Sequence, residues 1–528
     1  MCSVAIERDL AVPMRDGVRL FANLFKPAAD GSYPVIISVT PYGKDKLPDR
    51  VATFFMRLSG VKFGKLNCSR LTGFESPDPV HWVEQCYAVL QADVRGMHHS
   101  EGQAGVLRRQ DAEDYYDLIE WAASQPWCTG RVGIMGVSYL AMSQWHVAAL
   151  KPPHLRAIVP WEGVTDLYRE LAFHGGIPET KFVALWAKKR IKSGRNRRFP
   201  LAEDFLSEQA AHPLDDEYWA SKRPILENID VPALVCASWS DHGLHTRGSI
   251  EGFERISTQR KWLFTHGRKK WETFYGDEAL GWQKRFLDHF LRDINNGMDR
   301  VPTVRLEVRS AYYQQDVRSE QSWPLSSVQP DLLYLCANTA SLQREPAASE
   351  GKVQYGSTRR NGKAVFSRRF EQPVELIGSM RLKLWVSTSE GDDLDLFVVL
   401  RKLDSTGSEI FFSGFNGYAH DGVAKGWLRA SHRELDPTRS THLRPWHSHT
   451  RIQKLRSGDI VPLEIEIWPS ATLFEAGTTM QLTIQGHDAA RYPAFGHRQL
   501  VNRGWHTIFT GGSYDSCLAV PLNNRRSE

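Results

Sequence analysis

The sequence predicts an α/β sheet carrying an inserted helical cap, followed by a separate all-β domain. Three observations predict it. Short apolar, β-branched runs alternate with helical patterns over roughly the first 300 residues, the pattern of a parallel sheet buried on both faces. One stretch, residues 164–229, breaks that alternation with a helical, aromatic and basic composition. From Val301 onward only short alternating strands separated by Gly, Ser and Thr turns remain. The reading is residues 1–163 and 230–300 for the α/β core, 164–229 for the cap and 301–528 for the β domain. A chain of 528 residues has room for several domains.

The elements follow in order. Ile6–Met14 and Val18–Phe25 read as a hairpin turned by Asp16-Gly17. The buried strands are Val35–Thr40, Ala88–Leu90, Val132–Val137, Ala157–Val159, Ala233–Ala237 and Trp262–Phe264. Two helices between them are amphipathic. Asp111–Ser124 places Tyr115, Leu118, Ile119 and Ala122 on one face, and Ala279–Ile294 does the same with Trp282, Phe286, Leu287, Phe290 and Leu291. The basic run of the cap (Lys188, Lys189, Arg190, Arg195, Arg197, Arg198) reads as a solvated face. In the β domain the clearest strands are Leu382–Val386, Leu394–Leu400, Pro462–Ile467 and Met480–Ile484.

Composition narrows the function classes. Hydrophobic residues at 41% exclude a mostly disordered chain. A net charge of +5 from 66 basic and 61 acidic residues argues for neither nucleic acid nor a membrane surface as partner. No window approaches 18 consecutive apolar residues, and the N-terminus has neither a signal-peptide core nor an apolar stretch that would mark Cys2 for lipid attachment. Seven scattered cysteines without a CxxC fit reduced thiols in a cytoplasmic protein.

The strongest chemical signal is Gly133-Ile134-Met135-Gly136-Val137-Ser138-Tyr139-Leu140, a strand running into Gly-x-Ser with a helix starting at once. A nucleophile elbow has this form, although Leu140 stands where the pattern would have a second glycine. A catalytic serine needs a base and an acid that orients it, and in α/β sheets these groups come from the carboxyl ends of strands. Asp241 follows one strand and His266 ends the next; Asp230 lies at the wrong end, and Asp166 at the cap entry. His242 and His245 also lie past the Asp241 strand but share its loop, so the reading takes His266 as base. The Tyr139 N–H and the Tyr42 phenol are the candidate oxyanion donors. Trp161, Trp239, Phe182 and Trp186 are candidate substrate-binding aromatics. His447-x-His449 has a metal-ligand spacing without a carboxylate, and it reads as a loop that packs between domains or rims the site; no metal and no organic cofactor is called.

Several of these motifs together resemble the cocaine esterase / X-prolyl dipeptidyl-peptidase (CocE/NonD) family of serine hydrolases. They are Thr40-Pro41-Tyr42-Gly43-Lys44-Asp45, Asp93-Val94-Arg95-Gly96, Ser100-Glu101-Gly102, Trp127–Gly133, Gly136–Leu140 and Ser240-Asp241-His242-Gly243, with Ser431–Pro437 and Gly511–Ser516 in the β domain. The resemblance implies an α/β-hydrolase fold with an inserted helical cap and a jelly-roll-like β-sandwich. It also implies Ser138 as nucleophile, His266 as base, Asp241 as orienter, and Tyr42 with Tyr139 as the oxyanion hole. Two departures stand out: Ala141 where the family often has glycine, and Leu263-Phe264-Thr265 where it often has Gly-Pro-Trp before the histidine.

The function expected is hydrolysis of a small carboxylic ester or amide through an acyl-enzyme. Rival readings are an X-prolyl dipeptidyl-peptidase or α-amino-acid ester hydrolase, a biosynthetic acyltransferase or cyclase, and a dead hydrolase scaffold that binds glycan. Edge strands of the β domain offer a surface on which a second copy would pair as a homodimer.

Overall fold

Asp16 and Gly17 turn the chain as expected. Strand β1 (Val4–Pro13) pairs antiparallel with β2 (Arg19–Pro27), the Asp16 carboxylate accepts from Val18 N–H at 3.2 Å, and Gly17 takes φ 82°. The structure is a computed structural model that describes residues 3–47, 58, 61–62, 66–456, 458–489 and 494–524. Cys2 lies outside the described residues; the six described cysteines are free thiols.

The apolar runs form one sheet with β3 (Tyr33–Thr40), β4 (Ala88–Asp93), β5 (Cys128–Val137), β6 (Leu155–Trp161), β7 (Ala233–Ser238) and β8 (Lys261–His266). Its order is β1-β2-β4-β3-β5-β6-β7-β8, and from β4 onward every pairing is parallel. All carboxyl ends therefore open on one edge, where α/β sheets carry their chemistry. Helices cover both faces. In α1 (Arg109–Ala123) the predicted stripe Tyr115, Leu118, Ile119 and Ala122 is buried, and Asp111 accepts from Arg108 N–H at 2.9 Å to cap the first turn. The other helices are α2 (Tyr139–Ala148), α3 (His245–Arg255) and α4 (Asp277–Arg292), the last burying Phe286, Leu287, Phe290 and Leu291. Each large apolar side chain so buried contributes about 1.5–3 kcal/mol.

The segment between β6 and β7 forms the cap from short helical pieces, among them Phe182–Trp186, Phe205–Ala211 and Glu217–Ser221. Lys188, Lys189, Arg197 and Arg198 are exposed on it. Past α4 the sheet does not stop. Strand β9 (Val304–Ala311) runs parallel to β8 and carries the chain into the C-terminal β domain. There, nine of the described strands pair in a circuit that returns to its start. They run Gln329–Cys336, Cys517–Asn524, Val374–Thr388, Val461–Phe474, Ala424–Arg429, Asp395–Leu403, Thr479–Gln485, Lys363–Arg369 and Ser341–Gln343. In place of the expected two-sheet sandwich, the pairings close into a barrel. The physical reason is the long strand Val374–Thr388: a bulge at Gly378/Met380 bends it, and it pairs with different neighbours on its two sides.

His447 and His449 sit between cap and β domain. His449 C=O accepts from Asp215 N–H at 3.0 Å, its ring packs on Tyr168, and its Nδ1 lies 3.1 Å from Nδ1 of His432. The nearby charged groups include the cations Arg169 and Arg247, both stacked on Trp446.

Candidate active site

Ser138 occupies the turn between β5 and α2 with φ 62° and ψ −119°, a conformation that costs a non-glycine residue about 1–3 kcal/mol. The turn is tight: a Cβ on Gly136 would fall 2.5 Å from the Cβ of Leu140. It is held from three sides, by Val137 N–H to Glu75 C=O (3.1 Å), Ser138 N–H to Trp161 C=O (3.0 Å), and Ala141 and Met142 N–H to Ser138 C=O (2.9 Å each). Tyr139, the first residue of α2, contributes an amide N–H with no partner within its own helix, at the end that favours negative charge.

The Ser138 hydroxyl lies 3.1 Å from Nε2 of His245, and Nδ1 of His245 makes a short hydrogen bond to Oδ2 of Asp241. His245 is the first residue of α3, four positions beyond Asp241, and both side chains are buried. The tautomer follows from the partners: an ionised Asp241 only accepts, so Nδ1 carries the proton and Nε2 is left to accept from Ser138. Burial pushes the Asp241 carboxyl up, but the His245 ring with the ammonium groups of Lys270 and Lys269 outweighs burial and holds it below its ordinary range.

His266, expected as the base, is turned elsewhere, and this corrects the sequence reading. Its Nδ1 accepts from Arg268 N–H at 3.2 Å with Thr273 Oγ1 at 3.3 Å, which puts the ring proton on Nε2; that nitrogen lies 2.9 Å from Oε1 of Glu162. Neither nitrogen is left to take the Ser138 proton. Burial lowers the His266 ring to about 3, so it stays neutral. Sequence reasoning passed over His245 because it shares a loop with Asp241. The Asp-x-x-x-His spacing at a helix start was the signal that could have found it.

Tyr42 lies at the start of the loop after β3. Its N–H donates to Thr40 Oγ1 at 3.1 Å, and Asp93 fixes the next turn by accepting from Lys44 N–H at 2.7 Å. The Tyr42 ring lies 6.3 Å from that of Tyr139 on the elbow, and its phenol oxygen accepts from Trp186 Nε1 at 3.3 Å. Trp186, expected to bind substrate, therefore reaches the site through Tyr42. Phe182 packs between Phe415 and Phe495 of the β domain, with centroids 5.4 and 5.3 Å away. The other two aromatics do not line the site. Trp161 is enclosed by Phe264, Phe274 and His266, and Trp239 packs at a tilt against Trp323 while its Nε1 donates to Glu307 C=O at 2.8 Å. They face the interior because the alternation along β6 and past β7 points them away from the elbow.

Beside Asp241 lies a buried charged cluster. Lys270 pairs with Glu75 at 3.2 Å, and Lys269 donates to Phe415 C=O at 2.6 Å between the rings of Trp271 and Phe415. Burial and the neighbouring Lys270 lower Lys269 to about 8.

Comparison with known proteins gives the family. The sequence pattern of the X-Pro dipeptidyl-peptidase (S15 family) matches residues 16–269, and that of the X-Pro dipeptidyl-peptidase C-terminal non-catalytic domain matches residues 296–519. The cocaine esterase of Rhodococcus sp. (strain MB1 Bresler) is 29% identical over 382 residues, an alignment taking in 62% of this chain and 61% of the esterase. The crystal structure of a CocE/NonD family hydrolase from Staphylococcus aureus superposes with a TM-score of 0.95 at 42% identity, covering 98% of this chain and 94% of that one. An α-amino acid ester hydrolase shares the fold at 17% identity, with a TM-score of 0.70 over 98% of this chain and 97% of its own. Among the described residues no helix is long and apolar enough to cross a membrane. With 98% of its length matched at 42% identity to the Staphylococcus aureus hydrolase, the chain belongs to the CocE/NonD family of serine hydrolases.

Proposed function

We propose that the protein hydrolyses a small carboxylic ester through an acyl-enzyme on Ser138, with His245 as general base and Asp241 as its orienter. The observation that carries this reading is the unbroken chain from Ser138 Oγ to His245 Nε2 at 3.1 Å and from His245 Nδ1 to Asp241. His245 takes the Ser138 proton as Oγ attacks the acyl carbonyl, and Asp241 stabilises the imidazolium that forms. The oxyanion leans on the Tyr139 N–H and the Tyr42 hydroxyl. Trp186 donates to the Tyr42 oxygen, and an accepted hydrogen bond strengthens the phenol as a donor. The imidazolium returns its proton to the leaving alkoxide, and water then releases the acid by the same steps in reverse roles. An apolar or aromatic acyl group is supported by the aromatic set Tyr42, Phe74, Trp271 and Phe182 around the site. Six free cysteines support a reducing, cytoplasmic setting.

A peptidase reading has the matched family's description in its favour. It would need a carboxylate open to a substrate ammonium. The acids nearest the site, Asp241, Glu162 and Glu75, are buried, and each already bonds a protein side chain. The ester reading is therefore preferred. Turnover of p-nitrophenyl acetate and butyrate that disappears in Ser138→Ala is the expected result. Equal rates for wild type and variant, or faster cleavage of Gly-Pro-p-nitroanilide than of either ester, would overturn it.

A further inference from the structure

A second acid–histidine pair lies against the first. Glu162 follows β6 directly, its N–H donates to Cys236 C=O at 3.0 Å, and its backbone has φ 55°, a left-handed conformation that a non-glycine residue adopts at a cost. A carboxylate oxygen of Glu162, a carboxylate oxygen of Asp241 and a ring nitrogen of His245 lie within 4.8 Å of one another. Asp241 uses only Oδ2 on His245; its Oδ1 is buried and accepts no hydrogen bond among the described residues. A buried carboxylate oxygen without a donor is costly, and such an orphan calls for an explanation.

The surrounding groups say what Glu162 can supply. Asp241 and His245 face it from the loop and helix after β7, Cys236 from β7, His266 from β8, and Lys269 and Lys270 from the following turn, while Glu75, from the loop ahead of β4, pairs with Lys270. Glu307, Arg305, Arg268 and Glu272 act on His266 from behind. Lys270, His245 and Lys269 favour the charged form of Glu162, while burial and Asp241 oppose it. Two carboxylates this close do not both ionise readily. Burial and the Asp241 charge outweigh those three groups and push Glu162 up to about 8. The acid form has an O–H to donate, and the Nε2–H of His266 anchors its other end at 2.9 Å.

We propose that Glu162, anchored by His266, is a positioning residue that holds Asp241 by a hydrogen bond from its carboxyl O–H to Oδ1, the oxygen His245 leaves unused. A small rotation of the carboxyl, or one bridging water, closes the remaining distance. The inference rests on the Ser138–His245–Asp241 reading above. It makes the site sensitive to pH at a group that touches no substrate. As pH rises through the Glu162 value the donor is lost, a second negative charge appears beside Asp241, and kcat falls.

The test is kcat against pH on p-nitrophenyl acetate for wild type, Glu162→Gln, Glu162→Ala and Lys269→Met, with folding checked by circular dichroism and Tm. Glutamine keeps a donor at every pH. The expected result is a wild-type kcat that drops near pH 8, a Glu162→Gln profile without that drop, and a Glu162→Ala variant slower by about 10–100-fold at pH 7 with KM little changed. A Glu162→Gln profile that superposes on wild type would overturn the proposal. So would a drop that vanishes in Lys269→Met instead, which would assign it to that ammonium. If Glu162→Ala fails to fold, the Gln and Met profiles decide. Activity surviving in Ser138→Ala would sink the triad reading itself, a different failure from these.

Discussion

Two acid–histidine pairs stand side by side at the carboxyl edge of the sheet, Asp241–His245 and Glu162–His266. Both histidines are buried, and both meet a carboxylate through a ring nitrogen. They differ in what the other nitrogen does. In His245 it is presented to Ser138, whereas in His266 it accepts from the Arg268 amide. A base is thus defined by the partner of its second nitrogen and by the tautomer that partner imposes, more than by the strand end it occupies. His266 ends β8, where a base is expected, and yet its proton is committed to Glu162.

That difference can be broken directly. His245→Asn should lower kcat on p-nitrophenyl esters by about 10⁴-fold or more, the scale of a lost triad member. His266→Asn should cost about tenfold or less in kcat, measured beside Tm to separate folding from chemistry. Equal losses for the two variants would mean that the pairs exchange roles in the acting enzyme. Next in size is Tyr42→Phe, which removes the proposed oxyanion donor and should cost roughly 10²–10³ in kcat with little change in KM. A KM effect alone would make Tyr42 a binding residue. The smallest effect is expected from Trp186→Phe, which removes the hydrogen bond to the Tyr42 oxygen but keeps an aromatic ring in the cap. A loss of a few-fold, absent when Tyr42 is already phenylalanine, would show that Trp186 acts through the phenol; a double-mutant cycle reads that coupling.

Much of the fold was legible because periodicity reports burial. The parallel strands are continuous apolar runs, α1 and α4 carry their stripes at helical spacing, and Asp16-Gly17 turns the first hairpin. The C-terminal domain was legible as strands but not in its closure. Strand texture says which residues face inward; only the bulge at Gly378/Met380 and the double pairing of Val374–Thr388 join the circuit. Ser138 was legible because a strand, a small residue and a helix start fall together, and Asp241 because it follows a strand end.

The residues chosen for chemistry divide along the same line. Local sequence determined the elbow, the acid's strand and the loop that carries Tyr42, since each depends on neighbours in the chain. Which histidine faces Ser138, which tryptophan faces Tyr42 and which faces the core were decided by tertiary structure. Those outcomes depend on contacts between groups far apart in sequence: Ser138 with His245, Glu162 with His266, and Trp186 with Tyr42. The direction of a ring nitrogen is set by the donors and acceptors packed around it, and no spacing along one chain segment encodes them.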